Sequence, residues 1–409
     1  MPFTFRNIIK AIFVIAPVLL FLYSCKKDSN ASAPPVIEFV RLVDSTKRDS
    51  TFTSSLTGQQ ILIHGQNLGG VQQILFNDMP ASFNTALVTN TDIIVVVPAT
   101  APTEATNPNV SNKIRLITES GEASYDFKLV PPTPGITSVS NEMAFAGEVI
   151  TIKGSVFYNL EKVVFPGNLN GTNLQVIDTA TLRVTVPNGI TTVGTIQVVG
   201  KYGIGENPNI IFNGVSQPGM LANFEDGDPQ FGWAWWGGIK TNSSVDFPGN
   251  RGNYIRIKPA AAINANDGGW YSDNRAVNVA EASWIPESNL NDPIGDYLLK
   301  FEVFIKTPWK NGTILIRNEG SWKYTARYAP WLNSPNGTYS NSGWVTVSIP
   351  LTEFRTKAND VDGSGSPASS LSELLGNGKR EVGFMLINDS STPIAAFDAA
   401  FDNVRVVRR

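Results

Sequence analysis

Nine tryptophans occur in this 409-residue chain, and all lie beyond residue 230: Trp233, Trp235, Trp236, Trp270, Trp284, Trp309, Trp322, Trp331 and Trp344. The flat apolar face of an indole matches the axial C–H face of a pyranose ring. Its N–H can donate a hydrogen bond, and little rotamer freedom is lost on binding. Polar neighbours able to read hydroxyl groups accompany several of them. Three sit between glycines in Gly232-Trp-Ala-Trp-Trp-Gly-Gly238, and Trp270 and Tyr271 share the polar turn Asp267-Gly-Gly-Trp-Tyr-Ser-Asp273. Trp284 precedes a proline in Glu281-Ala-Ser-Trp-Ile-Pro286, and Lys323-Tyr-Thr-Ala-Arg-Tyr-Ala-Pro-Trp331 mixes tyrosine, arginine and tryptophan. Non-covalent capture of a saccharide is the chemistry this pattern suits. The expected platform residues are, in order, Trp284, Trp270 with Tyr271, Trp236 and Trp331. Trp344 opens an alternating run and belongs in a core, while Trp309 and Trp322 flank strands and fit either role.

Other chemistries find less support. Cys25 is the only cysteine, so the chain can form neither an internal disulfide nor a thiolate metal cluster. His64 is the only histidine. It occupies an alternate strand position, and it reads as a surface or half-buried strand residue rather than a ligand or base. Asp360-Val-Asp-Gly-Ser-Gly365 resembles the first half of a calcium loop. Leu371 stands where the bidentate acid belongs, so a mobile Gly/Ser loop is expected. No cofactor and no catalytic metal is expected; Glu225, Asp226 and Asp402 stand as a hypothesis for a structural calcium where the ends of the last domain meet. A glycoside hydrolase needs two carboxylates about 5 Å or about 6.5–9.5 Å apart. Glu225, Glu302 and Glu319 are candidates that sequence alone does not pair. A non-catalytic binder is therefore expected. The alternative is a structural or adhesive protein with a protein partner, and a hydrolase comes after that.

The elements that must position these residues read as strands. Charged residues make up only 16% and net charge is −3, so no basic field exists to attract nucleic acid. Short runs of Val, Ile, Thr and Phe, broken by Gly, Asn, Asp and Pro, recur along the chain, which is an all-β pattern. The first half contains a repeat. Gly58-Gln-Gln-Ile-Leu-Ile-His-Gly65, continuing to Phe76 and Pro98, aligns at constant offset with Gly147-Glu-Val-Ile-Thr-Ile-Lys-Gly154, continuing to Phe165 and Pro187. Ile114/Ile196 and Gly121/Gly203 align at a shorter offset, so the first copy has extra residues near 100–112. Each copy alternates apolar and polar residues with period two, as a half-buried strand requires. The closing glycine is expected to supply a positive φ or room for a tight turn. Prolines at 131, 132 and 134 join the copies, and Ser216-Gln217-Pro218-Gly219 follows the second. Two stiffly linked beads holding a tryptophan-rich domain off the membrane would follow.

The N-terminus reads as an export signal. Arg6 and Lys10 precede an apolar run from Ala11 to Leu22, which is of secretory rather than membrane-spanning length. Leu22-Tyr-Ser-Cys25 resembles the bacterial lipobox, so residues 1–24 are expected to be a signal peptide. Cys25 would be the lipidated first residue, with 25–34 a linker. Acyl chains anchor at about 0.8 kcal/mol per buried methylene. The segment Lys26-Lys-Asp-Ser29 partly resembles the signal that sends lipoproteins of Bacteroidota to the outer leaflet.

The repeat spacing resembles the IPT/TIG group of immunoglobulin-like sandwiches, over residues 35–130 and 134–216. Residues 217–409 open with Leu221-Ala-Asn-Phe-Glu-Asp-Gly227 and close with Phe401-Asp-Asn-Val-Arg-Val-Val407, as in carbohydrate-binding β-jelly rolls whose first and last strands pair. The whole architecture resembles the surface glycan-binding proteins of Bacteroidota polysaccharide-utilisation systems, with a C-terminal xyloglucan-binding-type domain. That resemblance implies a polysaccharide ligand, an outer-membrane location through the lipid, and a TonB-dependent transporter complex as partner. Trp284 is the position carried over from the family's binding aromatics.

Overall fold

The structure, a computed structural model, describes residues 33–47, 49–215, 217–227, 238–318 and 322–409. The described residues are almost wholly β, in two compact units divided between Pro132 and Thr133.

In the first unit, Val36–Arg41, Gln60–Gln66 and Asp92–Val96 form one sheet. Met79–Pro80, Val71–Phe76, Lys113–Thr118 and Gly121–Asp126 form another. Ile61, Ile63, Ile74, Phe76, Ile93, Ile114 and Leu116 fill the space between them. The second copy repeats this plan. One sheet runs Gly135–Val139, Val149–Ser155, Thr181–Thr185, Thr172–Asp178, and the other runs Leu169–Asn170, Leu160–Phe165, Gly194–Gly200, Gly203–Phe212.

The repeat glycines do different work from that expected of them. The opening pair, Gly58 and Gly147, have φ of 79° and 87°, which glycine adopts without strain. The closing pair, Gly65 and Gly154, do not have positive φ. They let the entry strand cross close by: a Cβ on either would overlap the carbonyl oxygen of Val36 or Gly135. His64 is half-buried on its strand, stacked on Phe39 with ring centroids 4.5 Å apart, and its Nδ1 lies 2.8 Å from Asp92 Oδ1.

The tryptophan-rich part is a two-sheet sandwich of the jelly-roll kind. One sheet runs Ile239–Thr241, Tyr254–Ile257, Ala399–Arg408, Tyr297–Ile305, Val345–Pro350, and Met220–Ala222 also pairs with Ala399–Arg408, so first and last strands meet. The other runs Ala276–Ser283, Lys379–Ile387, Thr313–Arg317, Thr325–Tyr328. Phe301, Val303, Ile305, Val277, Val279, Ile314, Ile316, Phe384 and Phe401 pack between them. Fully burying one such side chain contributes roughly 1.5–3 kcal/mol.

Within the second unit, the second sandwich and the jelly roll share a buried ionic junction. Glu142 receives the Lys300 ammonium at 2.6 Å and an Arg405 nitrogen at 2.7 Å. Arg405 also binds Glu302 with two nitrogens, at 2.8 and 2.9 Å. The Thr346 hydroxyl accepts from the Glu142 N–H and donates to Glu302, each at 2.8 Å. Arg251 grips the Met143 and Ala144 carbonyls and Asn213 Oδ1.

Candidate functional site

The sheet Ala276–Ser283, Lys379–Ile387, Thr313–Arg317, Thr325–Tyr328 has a second face, turned away from the core. Period-two alternation puts Val277, Val279, Ile314, Ile316 and Phe384 inward, so Ala276, Asn278, Leu315, Arg317, Gly383 and Met385 point outward. Ala276, Leu315, Met385 and Ile387 make an apolar floor, and Trp270 and Trp322 pack half-buried upon it. The two indoles are 5.3 Å apart between ring centroids, inclined at 46°. Tyr271, 62% exposed, stands edge-on to Trp270 at 5.9 Å. The Arg317 guanidinium lies 5.7 Å from the Trp270 ring and 5.6 Å from that of Trp322. Burial lowers the pKa of Arg317 from its ordinary value, with Glu381 opposing that shift.

The loop carrying Trp270 is fixed from behind. Asp267 and Asn388 exchange backbone hydrogen bonds of 2.7 and 2.8 Å. The Asp267 carboxylate accepts from the Gly269 N–H at 2.8 Å and from Arg275 at 3.0 Å. Those two donors, the backbone N–H first, outweigh partial burial and hold its pKa below the usual carboxylate range. Asn388, 1% exposed, ties in the Asn264 and Thr392 carbonyls. Trp322 has φ of 60°, a left-handed backbone unusual for an aromatic residue, of the kind that persists where the surroundings over-determine it.

The sequence expectations divide here. Trp270 and Tyr271 lie together beside the outward face of this sheet. Trp322, left undecided by its sequence, joins them. Trp284 is corrected: it is 2% exposed, donates its indole N–H to the Arg380 carbonyl at 3.0 Å, and packs edge-on against Phe354, so it is a core residue. Trp331 packs against the same core and donates to the Gly312 carbonyl at 2.9 Å, away from the Trp270 group. Trp309 is core, whereas Trp344 sits in a separate aromatic cluster with Phe247, Tyr254 and Phe304. Trp236 and Cys25 lie outside the described residues, as does Glu319.

The other expectations meet specific partners. Glu225 accepts from the Asn253 N–H at 2.9 Å, Asp226 pairs with Lys240 at 3.1 Å, and Asp402 is buried beside the ionic junction. Among the described residues no three His, Cys, Asp or Glu side chains are grouped to hold a metal. The Asp360–Gly365 loop lies against the strand Thr325–Tyr328. The Arg327 guanidinium donates to the Asp362 carbonyl at 2.9 Å, and Gly363, at φ of 72°, lies against Thr325.

Residues 215–408 match the family model described as the surface glycan-binding protein B xyloglucan binding domain, and residues 47–128 match that of the IPT/TIG domain. Surface glycan-binding protein PbSGBP-B from Prevotella bryantii is similar at 23% identity and a TM-score of 0.60, covering 92% of this chain and 99% of that one. SGBP-B from a complex xyloglucan utilization locus in Bacteroides uniformis is similar at 19% identity and a TM-score of 0.51, with 92% and 99% coverage. At these identities the likeness is one of fold. An IPT/TIG domain-containing protein of Bacteroides ovatus is 38% identical over 145 residues, which is 35% of this chain and 29% of that protein's length.

Proposed function

We infer that this chain, whose residues 215–408 are of the surface glycan-binding protein B xyloglucan-binding type and whose residues 47–128 are of the IPT/TIG type, is a non-catalytic, cell-surface polysaccharide-binding protein. The observation that carries this reading is the outward aromatic group of Trp270, Trp322 and Tyr271 on the second sheet of the terminal sandwich. These rings do not fill the main core, and half-buried or exposed indole and phenol rings in a row suit the faces of successive sugar units. A β-glycan of the xyloglucan or related glucan class is the favoured ligand. Two of the three candidate acids are already engaged: Glu302 is locked in the buried junction with Arg405 and Thr346, and Glu225 accepts from a backbone N–H.

Lipid attachment at Cys25, an outer-membrane location and a TonB-dependent transporter partner complete the proposal, carried by the N-terminal sequence and the family type. The proposed domains are 35–130, 134–216 and 217–409. Native affinity electrophoresis tests the binding. The chain is run through gels containing xyloglucan, mixed-linkage β-glucan, mannan, xylan or pectin, and retardation by a β-glucan is expected. Failure of every polysaccharide to retard folded protein would sink the reading in favour of a protein-binding surface role.

A further inference from the structure

Three residues distant in sequence share one cross-strand row on the aromatic face. Asn278 pairs with Gly383, and Gly383 pairs with Arg317. Strands lie about 4.8 Å apart, so a side chain from the third must cross roughly 10 Å to reach the first. Arg317 does so, donating from Nη2 to Asn278 Oδ1 at 3.1 Å. It passes over Gly383, where a Cβ would stand 2.8 Å from Arg317 Nε and 3.1 Å from its Cγ. The glycine is therefore the space in which the arginine lies.

Packing alone does not account for this arginine. It is 8% exposed, and among the described residues its Nε has no partner and its closest carboxylate, Glu381, is 3.6 Å away. An apolar residue on the Ala276, Leu315 and Met385 floor would avoid the desolvation of a charge. Besides its contacts with the Trp270 and Trp322 rings, what the guanidinium achieves is orientation. It can only donate, so Asn278 must turn its oxygen inward and keep Nδ2, with two N–H donors, for another partner. Among the described residues no protein group accepts from that Nδ2.

We propose that Asn278 is a specificity-determining hydrogen-bond donor for a saccharide held at Trp270 and Trp322, reading a hydroxyl or ring oxygen, and that Arg317 and Gly383 are positioning residues acting through it. The proposal rests on the glycan-binding reading.

Calorimetric titration of the full chain with xyloglucan and with mixed-linkage β-glucan tests it. Asn278→Asp is isosteric, keeps a partner for Arg317 and replaces the donors with acceptors. It should weaken binding about tenfold while leaving the melting temperature undiminished. Arg317→Met should weaken binding severalfold alone but add little on top of Asn278→Ala, because the two act as one unit. Gly383→Ala should mimic Arg317→Met. Trp270→Ala and Trp322→Ala serve as controls for the parent reading. If they abolish binding while Asn278→Asp binds like the parent, the donor role is overturned and the glycan reading stands. If Arg317→Met and Asn278→Ala are additive, Arg317 does not act through Asn278. If the tryptophan variants bind unchanged, or the parent binds neither glucan, the platform falls and this inference with it.

Discussion

At the scale of single residues, tryptophans of similar sequence context have opposite duties. Trp270→Ala or Trp322→Ala should remove at least a tenfold share of glycan affinity with little change in melting, since these rings rest on an outer floor. Trp284→Ala should cost roughly 3–5 kcal/mol of stability, because a fully packed ring leaves a cavity. Thermal melts and titrations on the same samples separate the two. Asp267 adds a pH signature. Its carboxyl is held low by the Gly269 N–H and Arg275, so its support of the Trp270 loop is present above the free aspartate value of about 3.9 and is lost as pH falls through its lower folded value. Glycan affinity should stay level from pH 8 to 5 and decline only below about 4. Asp267→Ala should weaken binding already at pH 7.

At the scale of elements, the duplicated sandwiches were legible because Gly-x-x-Ile-x-Ile-x-Gly writes its burial in period two, and both copies bury those isoleucines or their neighbours. The aromatic site was only half legible. Trp270 and Tyr271 share a turn visible in sequence. Asn278, Arg317 and Gly383 meet only through strand register, which no local spacing records. Trp284 misled because a tryptophan before Ile285-Pro286 resembles a loop platform. Here the Gly378 carbonyl accepts its backbone N–H and the ring closes the end of the core. The repeat also exposes a strained position. After the closing glycine, the first copy places Asn67 at φ of 57°, while the second places Val156 at φ of 60°. Asparagine tolerates this conformation and a β-branched residue does not. Val156→Asn should stabilise the second unit by about 1 kcal/mol, and Asn67→Val should destabilise the first by a similar amount, as read from denaturant midpoints.

At the scale of the molecule, the second sandwich is chemically joined to the jelly roll beside it. Glu142 lies in the sandwich, while both its cationic partners, Lys300 and Arg405, lie in the jelly roll, all nearly or fully buried. Glu142→Ala should therefore cost roughly 3–5 kcal/mol, mostly by stranding two cations with Glu302 alone, and residues 217–409 by themselves should melt lower than residues 133–409. Glu142 and Glu302 pair directly with Lys300 and Arg405, whereas Asp402 makes no direct ion pair with them and feels Arg251 only through space. Burial first, and then the charge of Glu302, drive the Asp402 pKa well above the usual aspartate range, so the folded chain holds a proton there that the unfolded chain releases above about pH 3.9. Because the native state binds the extra proton, stability falls as pH rises from about 4 through the folded pKa. Asp402→Asn imitates the protonated group and removes that dependence. The variant should be as stable as the parent near pH 4 and more stable at higher pH, with the gap widening until the pH passes the folded pKa. A parent that instead gained stability over Asp402→Asn with rising pH would mean that Asp402 is charged in the folded state, balanced by Arg251 and Arg405.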